Sequence, residues 1–260
     1  MKGSGASRPL RDAGLAFTLL TVAPFKIVWP SEGRPDVAGY FPLAGLALGT
    51  CASAVVALVT TVMAVSEHGG AALLVASATV AGLGLLTRFL HWDALADVAD
   101  ACGGGSSPEG RLEILDDPRV GAFGVSALVC VALLQVASLS VLVETGALVA
   151  VAVAPALSRS AAVFGAWFGR AARAEGLAAS IAGPPRVLSA LAAACAIIAV
   201  VTVAWATDPA LGACALAGLL AALAIPHLLA SRFGGVTGDV LGASVMLTET
   251  LVLVSFAITR

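Results

Sequence analysis

Apolar residues fall in long, almost unbroken runs, parted by short polar connections. Seven runs stand out, at 38–65, 70–90, 120–143, 146–168, 187–206, 210–230 and 240–258. Each is near the length of about 20 apolar residues that carries a helix across a bilayer. None alternates as an outer-membrane strand does. The pattern predicts an all-α integral membrane protein: a polytopic bundle of about seven transmembrane helices, forming a single domain over 1–260. Residues 13–28 are also mostly apolar, but Pro24 and Lys26 interrupt them. They predict an N-terminal helix that is interfacial or partly inserted, within a cytoplasmic segment 1–37. The longest polar interruption, 91–119, reads as a cytoplasmic acidic loop.

Composition sharpens this picture. The chain is 59% hydrophobic and only 12% charged, about half the charge of a soluble domain. That leaves too little polar surface for a soluble enzyme, and no basic patch for nucleic acid; the bilayer is the expected surroundings. The cysteines Cys51, Cys102, Cys130, Cys195 and Cys214 have neither zinc-site nor disulfide spacing. No signal-peptide cleavage site is evident.

Positive charge gives the orientation. Lys2, Arg8, Arg11, Lys26 and Arg34 precede the first span. Alternate connections then carry Arg88, Arg111 and Arg119, then Arg170, Arg173 and Arg186, then Arg232. The connections at 66–69, 144–145 and 207–209 carry none, and Arg260 is the exception. Basic residues mark the cytoplasmic side, so the polar connections are expected to build one cytoplasmic site in the cell membrane.

The chemistry starts at "FLHWDALADVADACGGG", residues 89–105. Asp93, Asp97 and Asp100 stand at i, i+4 and i+7, within a helical arc of about 60°. Like charges so spaced repel, and near hydrocarbon the cost rises. A divalent cation would cancel it, and Mg²⁺ favours carboxylate oxygens together with substrate phosphates. The alternative is a solvated helix face, which the absence of Lys or Arg from that face disfavours. Beyond the glycine run, Glu109, Glu113 and Asp116 or Asp117 are candidates to extend the acidic set, and Arg111 and Arg119 offer forks for phosphate oxygens. His91 is a candidate for phosphate contact or proton transfer, or else a polar anchor at the membrane boundary. Arg159 lies within a span and is expected to face a polar cavity. In "SRFGGVTGDVLGA" (231–243), Gly234, Gly235, Thr237 and Asp239 open the last helix. Two readings stand there: an anion site, or simple helix capping. Glu249, in the same span, is left outside the primary site.

Taken together, "LHWDALADVADA" (90–101), "RLEILDDPRVGAFG" (111–124) and "GGVTGDVLG" (234–242) resemble, in order, the motifs of the cobalamin synthase (adenosylcobinamide-GDP ribazoletransferase) family. "YFPLAGLALG" (40–49) and "AEGLA" (174–178) also look like family features. Ala94 and Ala101 stand where that pattern has glycine, and Asp116 where a basic residue is common. The resemblance implies transfer of the cobinamide phosphate of adenosylcobinamide-GDP to α-ribazole or its 5′-phosphate, with release of GMP. It also implies Mg²⁺ on Asp93, Asp97, Asp100 and Asp117, and leaves homo-oligomerisation open. CDP-alcohol phosphotransferases, which share the chemistry, have a different aspartate spacing. An ion or metal transporter would bury its charges near the bilayer midplane, whereas these cluster in one predicted cytoplasmic connection.

Overall fold

The computed structural model describes residues 8–23, 27–30, 33–62 and 70–260. The expectations for Lys2, Pro24, Lys26 and the connection at 66–69 lie outside them.

The described residues are almost entirely helical. The helices are α1 (Arg8–Leu20), α2 (Phe41–Val62), α3 (Ala71–Leu86), α4 (Leu90–Gly104), α5 (Pro108–Leu115), α6 (Ala122–Glu144), α7 (Leu148–Phe168), α8 (Leu177–Ile181), α9 (Val187–Thr207), α10 (Pro209–Phe233) and α11 (Gly238–Ile258). A 3₁₀ turn, Ala38–Tyr40, leads into α2. Six of these are long and apolar enough to span a membrane, or seven if α3 and α4 count as one broken span. The expected polytopic all-α architecture is therefore present.

Sequence dictates where several helices begin. Ser107 accepts from Gly110 N–H, with Pro108 next, to start α5. Asp208 accepts from Ala210 N–H, followed by Pro209, to start α10. Each side-chain oxygen satisfies an amide that the first turn leaves unpaired, and a proline there has no amide to waste.

α7 and α11 form the centre. Buried residues make up 78% and 67% of their apolar windows, against 22–28% in the other spans. Lipid offers no hydrophobic drive between helices, so close approach of small residues holds them together. Gly45 and Gly49 of α2 show this: a Cβ on either would stand 2.2 or 2.1 Å from the backbone oxygens of Pro155 and Ala152 on α7. The "YFPLAGLALG" stretch is thus a packing seam.

The second predicted span ends early. α3 stops at Leu86, and α4 leaves it at 90°. Arg88 and Phe89 make the corner in left-handed conformations, with φ of 54° and 53°. Residues with a Cβ rarely adopt these. Phe89 N–H reaches Gly84 O at 2.7 Å, and its ring lies where a Cβ on Gly84 would be. Residues 91–119 are consequently two helices rather than a loop, and α4 packs between α6 and α11.

α1 is more than an interfacial strip. Leu15, Ala16 and Leu20 are buried in the main core. Arg88 donates to Thr18 O and Leu19 O, in the last turn of α1, at 2.9 and 3.2 Å, a common cationic helix ending. At the other end, buried Asp12 accepts from Asp36 N–H and from Arg186, both at 3.2 Å. Asp36 in turn accepts from Arg186 N–H at 2.6 Å. Arg34 donates to Ile181 O at 2.9 Å and also to Pro184 O. This network fixes α1 and the 181–186 loop against one another.

Candidate active site

A cavity of about 280 Å³ opens where α1, α2, α4, α7, α8 and α11 meet. Its mouth is polar. Asp93 and Glu175 there are exposed, with Arg173 and Asp239 half-buried behind them. Its floor is apolar, with Leu20, Phe41, Ile181 and Leu241 all buried.

α4 supplies the acidic side. Asp97 lies close enough to Asp93, Asp239 and Asp100 to feel their charge, so α11 adds a fourth carboxylate to the three on one helical face. Both oxygens of Asp100 accept backbone amides, Gly121 N–H at 2.7 Å and Gly124 N–H at 2.8 Å. Asp100 therefore holds the start of α6. Among the described residues, no three Asp, Glu, His or Cys side chains converge as a ready-made metal cage.

Asp117 lies elsewhere. It is half-buried, in the connection after α5, and binds Arg119 through the guanidinium and the backbone amide at 2.6–3.2 Å. Those hydrogen bonds hold its carboxyl down at about 2. The structure thus brings Asp93, Asp97, Asp100 and Asp239 together, whereas Asp117 is paired with exposed Arg119 and neither lines the cavity.

Arg159 faces inward, as its depth in the span suggests, but not onto the main cavity. It is paired with buried Glu249, and Ser158 hydrogen-bonds to both. This pair borders a smaller cavity behind, which Gln135 and His91 also line. His91 forms the wall between the two cavities. It is 4% exposed, and neither ring nitrogen has a hydrogen-bond partner among the described residues.

At the start of α11, Thr237 accepts from Val240 N–H at 3.1 Å and caps the helix. Thr237 and Asp239 also line the main cavity, whereas Gly234 and Gly235 do not. The use of Gly235 is close approach. A Cβ there would lie 2.5 Å from Arg170 O, in a two-residue parallel pairing of Ala171 with Val236. That pairing holds the 170–176 loop, and so Arg173 and Glu175, over the cavity.

Arg173 and Glu175 are the polar site residues that the sequence reading did not select. The signal was present: "RAEG" is the one charged cluster in the connection after α7. The three departures from the family motifs all have partners. The methyl of Ala94 sits where a Cβ on Gly242 would be, at 2.6 Å. Ala101 is fully buried in the core. Asp116 binds Arg173 at 2.7 Å, while Arg173 also donates to Leu112 O at 2.5 Å.

Comparison with known proteins places the chain in a family. The family described as Cobalamin-5-phosphate synthase matches residues 12–257. A protein of Syntrophobacter fumaroxidans named adenosylcobinamide-GDP ribazoletransferase is 36% identical, over 92% of this chain and 95% of its own length. Proteins of the same name from Ralstonia pickettii and Frankia casuarinae are 39% and 36% identical, covering 91% and 95% of this chain and 90% and 95% of their own. No solved structure matches. The match spans α1 to α11 and takes in every group at the cavity mouth: this chain belongs to the cobalamin-5-phosphate synthase family.

Proposed function

We propose that the protein is a multi-pass membrane transferase that joins the phosphorylated cobinamide of adenosylcobinamide-GDP to α-ribazole, or to its 5′-phosphate, and releases GMP. The observation that carries the reading is the meeting of Asp93 from α4 and Asp239 from α11 at the mouth of one cavity, in a chain of this family.

In this reaction a ribose hydroxyl oxygen attacks the phosphorus on the cobinamide side of the pyrophosphate. A new P–O bond forms as the bridging P–O bond breaks, and GMP leaves with the bonding electrons. The hydroxyl proton passes to a carboxylate at the mouth. The protein's part is mostly positioning and charge compensation. Arg173, fixed by Asp116 and Leu112 O, supplies a cation beside the carboxylates. The 170–176 loop sets Arg173 and Glu175 on the rim of the cavity.

The donors suit Mg²⁺ in kind: carboxylate oxygens, crowded without enough cations to neutralise them. Asp93, Asp97 and Asp239 would hold it. Their failure to form a three-group cage is no obstacle, because Mg²⁺ commonly takes one or two carboxylates, keeps several waters and completes its shell with substrate phosphate. When bound, the ion neutralises charge on the pyrophosphate and the leaving group. The basic connections support a site on the cytoplasmic side of the cell membrane.

The test is direct. Purified protein in detergent is given adenosylcobinamide-GDP, α-ribazole and Mg²⁺, and GMP and the corrinoid product are followed. Stoichiometric GMP and cobalamin, abolished by EDTA, are expected. GMP without a ribazole-containing corrinoid would refute the transfer.

A further inference from the structure

The cavity is graded, polar at its mouth and apolar at its floor, and it is small. We propose that it is the subsite for the nucleoside α-ribazole, entered base first, while the corrinoid half of the other substrate stays outside the mouth. The inference rests on the ribazole-transfer reading above.

Size is the first argument. A volume of about 280 Å³ lies at the lower end of small-molecule pockets. It suits a bicyclic base with a pentose at its edge. A corrin ring with its amide arms and adenosyl group is several times larger.

Polarity is the second. Leu20, Phe41, Ile181 and Leu241 on the floor are each at most 4% exposed. They match the faces of a methylated benzimidazole, whose burial is favourable roughly in proportion to apolar area. Guanine carries several donors and acceptors, which this floor would leave unpaired at a cost.

His91 is the third. A buried imidazole with both nitrogens unpartnered among the described residues asks for a hydrogen bond. The base of α-ribazole has one ring nitrogen that is not attached to the sugar and is a free acceptor. An N–H of His91 donates to it. With the base so held, the ribose lies at the mouth beside Asp93 and Asp239, where its hydroxyl meets the incoming pyrophosphate.

The experiment separates the two substrates. Ala178 lines the cavity at 4% exposure, and Ala178→Leu fills the floor. It should raise KM for α-ribazole at least tenfold and change KM for adenosylcobinamide-GDP less than twofold. A second arm uses the wild-type protein and needs no folded variant. The indole analogue of α-ribazole, with C–H in place of the free nitrogen, should bind at least tenfold more weakly in equilibrium dialysis, since a site built for a hydrogen bond rejects a ligand lacking it. His91→Ala should bind the two equally.

A KM shift confined to adenosylcobinamide-GDP, or equal binding of α-ribazole and its analogue to the wild type, would overturn the assignment. If the wild type releases GMP normally, such a result overturns this assignment alone. Wild-type protein that binds both nucleosides as proposed but forms no ribazole-containing corrinoid would instead count against the transfer reading.

Discussion

Asp100 and Gly124 fit one another closely: the amide of Gly124 donates to the carboxylate at 2.8 Å, and a Cβ on Gly124 would stand 2.3 Å from the other oxygen. With Gly121, this makes Asp100 a cap for α6 supplied by a different helix. An anion at a helix start satisfies unpaired amides and suits the helix dipole. It also ties the end of α4 to α6, which sets Asp97 and Asp93 one and two turns back.

Gly124→Ala therefore forces the carboxylate away or shifts Ala96 O, which a Cβ would meet at 2.9 Å. A loss of about 1–3 kcal/mol is expected from overpacking. Asp100→Ala should cost a similar amount through unpaired amides. Unfolding in detergent, followed by circular dichroism, measures both. Wild-type stability in Gly124→Ala would show that α4 is not held there.

Asp93→Asn and Asp97→Asn remove charge but keep shape. Each should nearly abolish GMP release. Without Mg²⁺ the melting temperature should stay level or rise slightly, because repulsion is relieved. The stabilisation that Mg²⁺ gives the wild type should vanish, since an ion that binds only the folded state stabilises by mass action. Full activity with an unchanged Mg²⁺ shift in both variants would make this face plain solvated surface.

Arg159 and Glu249 form a buried pair, and removing one partner strands the other. Glu249→Gln and Arg159→Met should each cost about 3–5 kcal/mol, and the double variant less than their sum. Melting curves of the three variants decide. A stable Arg159→Met protein with a raised KM for adenosylcobinamide-GDP would instead make Arg159 a substrate contact.

Much of this was legible in the sequence, and the unread parts share a cause. The span read at 120–143 is Ala122–Glu144, because long apolar runs leave a chain in lipid little choice. The common face of Asp93, Asp97 and Asp100 follows from helix geometry alone. What stayed hidden depends on pairings distant in sequence. Glu249 lies 90 residues beyond Arg159, and Asp12 lies 174 before Arg186. An amphipathic stretch such as α1 looks alike whether it lies on a membrane or packs into a core. The corner at Arg88 and Phe89 has neither glycine nor proline within it to announce it.

Orientation is open to labelling. With Cys51, Cys102, Cys130, Cys195 and Cys214 replaced, Ser106→Cys should react with a membrane-impermeant maleimide only after the cells are opened. Labelling in intact cells would place the acidic helix on the outside and reverse the proposed orientation.

The cavity takes Leu20 from the first helix and Leu241 from the last. Every helix between them is made before these two walls can meet, so a fragment that ends before α11 has only one of them. Contacts this far apart close slowly during folding. The cavity therefore depends on α11 having docked, and a chain cut before it lacks Asp239 and Leu241 together.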